Sequence, residues 1–323
     1  MSGTIRSRVC WIAAACLCAT AAWAQNYPVK PVRVVIPFPP GGANDIVARI
    51  VFQKFSEQMG QTFVLENRSG AGGAVGTAIV AKSPPDGYTL MVQTVASHVS
   101  NAHLYKKLPY DPLADFVGIT PLARLVAVLT VHPSMPTRSV KEFVALAKAR
   151  PKDILFGHAG YGSFIHLTTV ILESQMHIQI THVPFKGGGP AVVGLVSGET
   201  QAMTAGIGDI LEHIKAKRAR PLGVTSLERV AQMPDIPAIA ETAPGFESVT
   251  WVSLFAPAGT PRAIIDQLNA ALGTTLRDPD IASKLSGVTY DAVHRSSEEM
   301  AQRLKADYEK IGNLYSKLGI TLN

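Results

Sequence analysis

Short apolar runs alternate with stretches of helical spacing along most of the chain: RVVIPF precedes DIVARIVFQKF, FVLEN precedes GAVGTAIVAK, and YTLMVQT precedes HVSNAHLY. A strand, a helix and a second strand in succession bring the strands together in parallel, because the helix returns the chain across the sheet. In the first helical stretch Val47, Val51 and Phe55 share one face with Ile46 and Ile50, the stripe of an element that covers a sheet. A second series runs SVKEFVALAKA, ILFGHAG, GSFIHLTTVILESQ, ITHVPF, GPAVVGLVSG, QAMTAG, DILEHIKA and RPLGVTS, and two or three helices close the chain. The pattern predicts an α/β protein whose sheets are mainly parallel and flanked by helices.

Two long apolar runs, FVGITPLARLVAVLTVHP and TWVSLFAPAGTP, interrupt the alternation and read as extended crossings near residues 118–132 and 249–257. They predict two lobes, residues 25–125 with 248–323 and residues 126–247, which agrees with a chain longer than one core usually supports. Helix starts are well marked. Ser139 with Glu142 and Ser296 with Glu299 have capping-box spacing, while Thr260-Pro261 and Asp278-Pro279 each set a cap before a proline.

Residues 1–24 read as an export signal: Arg6 and Arg8 precede an apolar run that ends in Ala22-Trp23-Ala24, a small-x-small cleavage pattern. All three cysteines, Cys10, Cys16 and Cys18, lie in that segment, so the mature chain would use neither disulfide nor thiol chemistry. Without Arg6 and Arg8 there are 28 basic against 24 acidic residues, a net charge of +4 with no polybasic block, and no nucleic-acid partner is expected.

Four strand-to-helix junctions carry glycine: IPFPPGGANDIVARI at residues 36–50, Gly160-Tyr161-Gly162-Ser163, Lys186-Gly187-Gly188-Gly189-Pro190 and Gly206-Ile207-Gly208-Asp209. A bare backbone at such a junction lets a ligand approach main-chain N–H groups, and the helix N-terminus adds about half a positive charge. An anion can therefore be held without a cationic side chain. Tight turns alone would also use glycine and proline, but four junctions divided between two lobes favour a cleft site. Pro37, Pro39 and Pro40 would keep the first loop preformed. Asn44 or Asp45 can cap its helix, and a cap is the stronger reading of Asp45, whose charge would repel an anion.

Other chemistries fit less well. GAGGAVG, residues 70–76, is spaced G-x-G-x-x-x-G and has no acid about 20 residues on, so it lacks the dinucleotide fingerprint. Ser163 lacks the second glycine of a nucleophile elbow, and His166, three residues on, is not thereby made a base; a helix cap is the plainer role. No histidine pair has metal-ligand spacing and no P-loop occurs. No metal, cofactor or catalytic residue is expected.

The segments YPVKPVRVVIPFPPGGANDIVAR, LENRSGAGGAVGTAIVAKSPPDGYTL, GHAGYGSFIH, THVPFKGGGPA, PDIPAIAETAPGFE and WVSLFAPAGTP, in this order, resemble the extracytoplasmic solute receptors of tripartite tricarboxylate transporters, the TctC or Bug family. The resemblance covers essentially the whole chain after the leader. It implies a periplasmic binding protein of the Venus flytrap kind, type II-like, holding a small carboxylate or related solute between its lobes, partly through ordered waters. Carried onto this chain, the ligand-binding positions are Phe38, Gly41, Gly42, Asn44 and Asp45 in the first loop and Thr94 and Ser97 after the third strand. In the second lobe they are Gly160, Gly162, Ser163 and His166, with Gly206 and Asp209. Many relatives read GGATD where this chain has GGAND, so Asn44 leaves the solute's identity open: mono- or dicarboxylate, aromatic acid, amino acid or neutral amide. Phe38 and Tyr161 are expected to flank the cleft mouth. The resemblance further implies membrane transporter subunits as partners and a periplasmic location; a monomer is expected. A secreted serine hydrolase built on Ser163 and His166, and a sensor docking to a signalling partner, are the alternative readings.

Overall fold

The first apolar run forms β1 (Val32–Ile36), and the glycine junction after it opens α1 (Ala43–Met59), whose Val47, Val51 and Phe55 are fully buried. The computed structural model describes residues 27–322; the expected export signal, its cleavage point after Ala24 and all three cysteines lie outside them. The alternation continues through β2 (Phe63–Asn67), α2 (Ala74–Ala81), β3 (Thr89–Thr94), α3 (Val95–Leu104), β4 (Phe116–Val131), α4 (Val140–Ala149), β5 (Leu155–His158) and α5 (Phe164–Met176). Then come β6 (Thr181–Pro184), α6 (Gly188–Val196), β7 (Ala202–Gly206), α7 (Ile207–Lys215), β8 (Arg220–Val224), β9 (Val249–Pro257), α8 (Arg262–Arg277), α9 (Pro279–Gly287), β10 (Asp291–Ala292) and α10 (Ser297–Leu318).

Strands that feed helices pair in parallel, as the alternation predicts: β1 with β2 and β3 in one half, β5 with β6 and β7 in the other. The crossing strands add antiparallel pairings. β9 runs antiparallel to β3 and to β4, and β4 runs antiparallel to β7 and β8. The hydrogen-bonded order is therefore β2-β1-β3-β9-β4-β7-β5-β6, with β8 and β10 also on β4.

β4 joins the halves. It pairs with β9 from Phe116↔Pro257 to Val126↔Val249, then from Ala127 onward with β7 and from Val128 with β8. Its side chains alternate between two hydrophobic cores at this changeover: Leu125 and Ala127 lie in the first, Val126 and Val128 in the second. A strand buried on both faces has to be apolar at consecutive positions, which is why the run reads LARLVAVLTV. Pro121, which has no N–H for a ladder, sits between irregularities in the register with β9.

α5 extends across both cores. Phe164, Ile165, Leu167 and Val170 belong to the first and Leu172 and Met176 to the second. The Ser296–Glu299 capping box forms reciprocally, and Asp278 caps α9 with Pro279 in its first turn. At α8 the cap falls on Pro261 itself, one residue past Thr260, whose hydroxyl donates to the Pro257 carbonyl. Among the described residues no helix is long and apolar enough to cross a membrane.

Candidate functional site

The four glycine junctions and the end of β3 meet where the halves face each other. The cleft there is narrow, about 40 Å³, and is lined by Phe38, Gly42, Ala43 and Asn44 of the first junction, Thr94 at the end of β3, Ser97 of α3 and Leu125 of β4. Ala159, Ser163, Phe164, Ile165, Gly188, Gly206 and Asp209 complete it from the opposite side.

Five helices begin at this wall, in two kinds. α3 and α5 cap themselves: Thr94 Oγ1 accepts the Ser97 N–H at 3.2 Å, and Ser163 Oγ accepts the His166 N–H at 3.1 Å. α1, α6 and α7 follow Gly42, Gly187 and Gly206, and no side chain caps them. The first-turn N–H groups of an uncapped helix have no intrahelical acceptor, so these three starts keep donor capacity and a partial positive charge at the cleft.

The two sides touch. Thr94 Oγ1 donates to Ser97 Oγ at 2.8 Å, which in turn accepts the Phe164 N–H at 3.0 Å, so the cap of α3 is tied to the start of α5. Glycine permits the closest approaches. A Cβ on Gly187 would lie 2.3 Å from Pro39 Cγ, and one on Gly162 1.9 Å from Asn101 Oδ1; both residues also hold positive φ.

Of the positions singled out from sequence, Phe38, Gly42, Asn44, Thr94, Ser97, Ser163, Gly206 and Asp209 line this cleft. Gly160 lines a wider adjoining space of about 550 Å³ that shares Phe38 and Ala159 and includes Tyr161 and the 70–73 loop. Gly41, Asp45, Gly162 and His166 line neither. Asp45 serves its own loop: its Oδ2 accepts the Gly41 N–H at 3.1 Å and Arg49 Nε at 2.9 Å, while its Oδ1 accepts Arg49 Nη2 at 2.9 Å and Asn67 Nδ2 at 3.0 Å. Burial alone would raise its pKa, but these hydrogen bonds and the Arg49 charge hold the carboxyl below the ordinary range.

His166 is buried beside His158, His182 and Tyr161, and burial together with those neighbouring histidines pushes its pKa far down, so the ring is neutral. Its Nδ1 accepts the Gly162 N–H at 3.5 Å. The Ser163 hydroxyl donates to the Gly160 carbonyl at 2.6 Å. That proton therefore points to a carbonyl and not to the imidazole, which makes Ser163 a cap and leaves no serine–histidine dyad. Among the described residues no group of three or more His, Cys, Asp or Glu could hold a metal ion.

Among the described residues no lysine, arginine or histidine lines the cleft, and Asp209 is the one ionisable side chain in its lining. Burial raises the Asp209 carboxyl from 3.8 to about 7, against the opposing effect of the Tyr290 hydroxyl, which donates to Oδ1 at 2.9 Å. Sequence reasoning missed Leu125 and Tyr290, because a residue inside a strand or 81 positions away carries no local signal of a cleft, and it missed Ala159, which directly precedes the second glycine junction. Gly188 was legible, since it belongs to the third glycine junction.

Residues 47–320 match the family described as tripartite tricarboxylate transporter family receptor, TctC. The UPF0065 protein in the tcbD-tcbE intergenic region of Pseudomonas sp. (strain P51) is 37% identical over 299 residues, spanning 92% of this chain and 89% of that protein. The structure of R. palustris Rpa4515 with adipate superposes with a TM-score of 0.88 at 32% identity, covering 92% of this chain and 100% of that one. MatC from Rhodopseudomonas palustris with bound malate superposes with a TM-score of 0.85 at 31% identity, covering 89% of this chain and 99% of that one.

Proposed function

Because this chain belongs to the tripartite tricarboxylate transporter family of receptors, we propose that it captures a small carboxylate in the periplasm and delivers it to the membrane subunits of a tripartite transporter. One observation carries the reading: the cleft gathers three uncapped helix starts, at Gly42, Gly187 and Gly206, and no basic side chain. Backbone N–H groups at helix termini hold an anion with little reorganisation, and each terminus contributes about half a positive charge in a partly desolvated site. The adipate and malate of the two solved structures give the class of solute.

The lobes are residues 25–125 with 248–323 and residues 126–247, a division supported by the change of partners along β4 after Val126. Solute bridging both sides favours the shut form, because a ligand that touches both lobes gains contacts only when they close on it. The protein acts as a monomer, exported and cleaved after Ala24; intact mass of protein recovered from the periplasm tests the cleavage point.

Thermal unfolding of the mature protein against mono-, di- and tricarboxylates, aromatic acids, amino acids and neutral amides tests the binding. A solute at ~100 times its dissociation constant adds about 2.7 kcal/mol and moves the midpoint by several degrees. Response to one chemical class of carboxylate is the expected result. Silence from every carboxylate in ligand-stripped protein would overturn the reading.

A further inference from the structure

A cleft built from helix N-termini has an evident use for an anionic group, yet Asp209 stands in it half-buried with no cationic partner among the described residues. Tyr290 occupies Oδ1. Oδ2 is directed at the start of α6 and the end of β7: a Cβ on Gly188 would lie 3.2 Å from it, and one on Gly206 3.0 Å. Gly188 is also where the first lobe arrives, since that same Cβ would lie 3.9 Å from Gly42 Cα.

Two residues after Gly42, Asn44 contributes an unsatisfied buried acceptor. It is 7% exposed, lines the cleft, and its Oδ1 has no hydrogen-bond partner among the described residues. A buried acceptor without a donor costs about 1–3 kcal/mol, so a ligand able to supply donors gains by facing it. A dicarboxylate offers acceptors only, whereas an ammonium group offers three donors and a charge opposite to that of an aspartate. A protonated Asp209 could donate to a second ligand carboxylate, but that arrangement leaves Asn44 Oδ1 without a donor. The ammonium satisfies both.

We propose that Asp209 and Asn44, one from each lobe, form the specificity element of this receptor and admit a solute that carries an ammonium group as well as a carboxylate. The carboxylate lies at the uncapped helix starts, and the ammonium bonds to Asp209 Oδ2 and Asn44 Oδ1. Asp209 is stabilised as an anion by its place in the first turn of α7, by the Tyr290 hydroxyl and by the incoming cation. The proposal rests on the receptor reading and narrows it from carboxylates in general to amino acids and related aminocarboxylates.

Titration calorimetry on the ligand-stripped mature protein tests it with matched probes. Adipate, 6-aminohexanoate and hexanoate form one set, succinate, 4-aminobutanoate and butanoate a second, and the common L-amino acids a third. The expected result is an aminocarboxylate that binds about tenfold or more tighter than the dicarboxylate and plain monocarboxylate of the same length, the worth of a charge-assisted hydrogen bond. In Asp209→Asn that preference falls by about tenfold or more while the dicarboxylate gains affinity, and in Tyr290→Phe the preference falls less. The wild-type comparison stands even if a variant fails to fold. A dicarboxylate or plain monocarboxylate that binds wild type as tightly as its amino counterpart would overturn this proposal and leave the receptor reading intact. Absence of binding by every probe would overturn this proposal, and the receptor reading would then stand or fall on the wider carboxylate panel of the thermal-unfolding test.

Discussion

The two lobes begin their cleft helices with the same four-residue pattern: Gly42-Ala43-Asn44-Asp45 opens α1 and Gly206-Ile207-Gly208-Asp209 opens α7. In each the aspartate falls in the first turn after an uncapping glycine, yet the two carboxyls differ in state. Asp45 is saturated by Arg49, Asn67 and the Gly41 N–H and held below the ordinary carboxylate range. Among the described residues Asp209 has only the Tyr290 hydroxyl as hydrogen-bond partner, and burial raises it to about 7. The helix position is shared, so the contrast arises from what the surrounding fold brings to each group. Asp45 uses its charge to shape a loop; Asp209 presents its charge to the cleft.

The pH dependence of stability should show the contrast most strongly. Asp209 has a native pKa above its ordinary 3.8, so between that value and about 7 the native chain holds a proton that the unfolded chain has released. Its stabilising contribution is complete below the lower value and is lost as pH rises through the higher one. Tyr290 is the one titratable group acting on it and stays protonated throughout this range. Urea unfolding without solute at pH 5 and pH 8 should therefore show a loss in the wild type that is about 2–3 kcal/mol greater than in Asp209→Asn. Parallel pH curves for the two proteins would remove the distinction between the aspartates.

A smaller effect is expected when Asp45 is treated in the same way. Asp45→Asn turns an amide donor toward Arg49, Asn67 or the Gly41 N–H, and breaking that network should cost about 2 kcal/mol at pH 7. Asp209→Asn, which removes a half-buried carboxyl that has no cationic partner among the described residues, should leave stability at pH 7 unchanged or higher. Equal losses would mean that both carboxyls are structural.

The smallest effect separates capped from bare helix starts. Ser163→Ala deletes the cap of α5 and should cost about 1 kcal/mol in denaturant unfolding. Gly42→Ser, at a backbone conformation that serine accepts, with the nearest atom 4.0 Å from its Cβ, should add a few tenths of a kcal/mol by capping α1. The same substitution should weaken carboxylate binding, because the new hydroxyl takes an N–H group otherwise free for solute. Unchanged affinity would show that the first helix start does not hold the ligand.

Much of the architecture was legible before any coordinates. The change of hydrophobic period from strand to helix located the parallel strands, and the continuous apolar runs located both crossings, because a strand buried on two faces cannot alternate. Ser296 with Glu299 and Asp278 before Pro279 announced helix starts through bonds made within a few residues. The glycine junctions marked the cleft wall for the same local reason. Leu125 looked like any other residue of β4, and nothing near residue 290 announced a tyrosine that would hydrogen-bond the cleft aspartate.

The sequence by itself determined the alternation of strands and helices, the bare helix starts and the need for two cores, since each follows from residues within one or two turns of one another. Tertiary structure alone decided which carboxyl is neutralised by partners and which faces the cleft with a single hydroxyl donor among the described residues. Solvation and hydrogen-bond supply depend on groups far apart in the chain, Arg49 and Asn67 for Asp45, Tyr290 and the opposing start of α6 for Asp209. Two aspartates with the same local pattern acquire opposite electrostatic characters because burial and partners are properties of the assembled cleft.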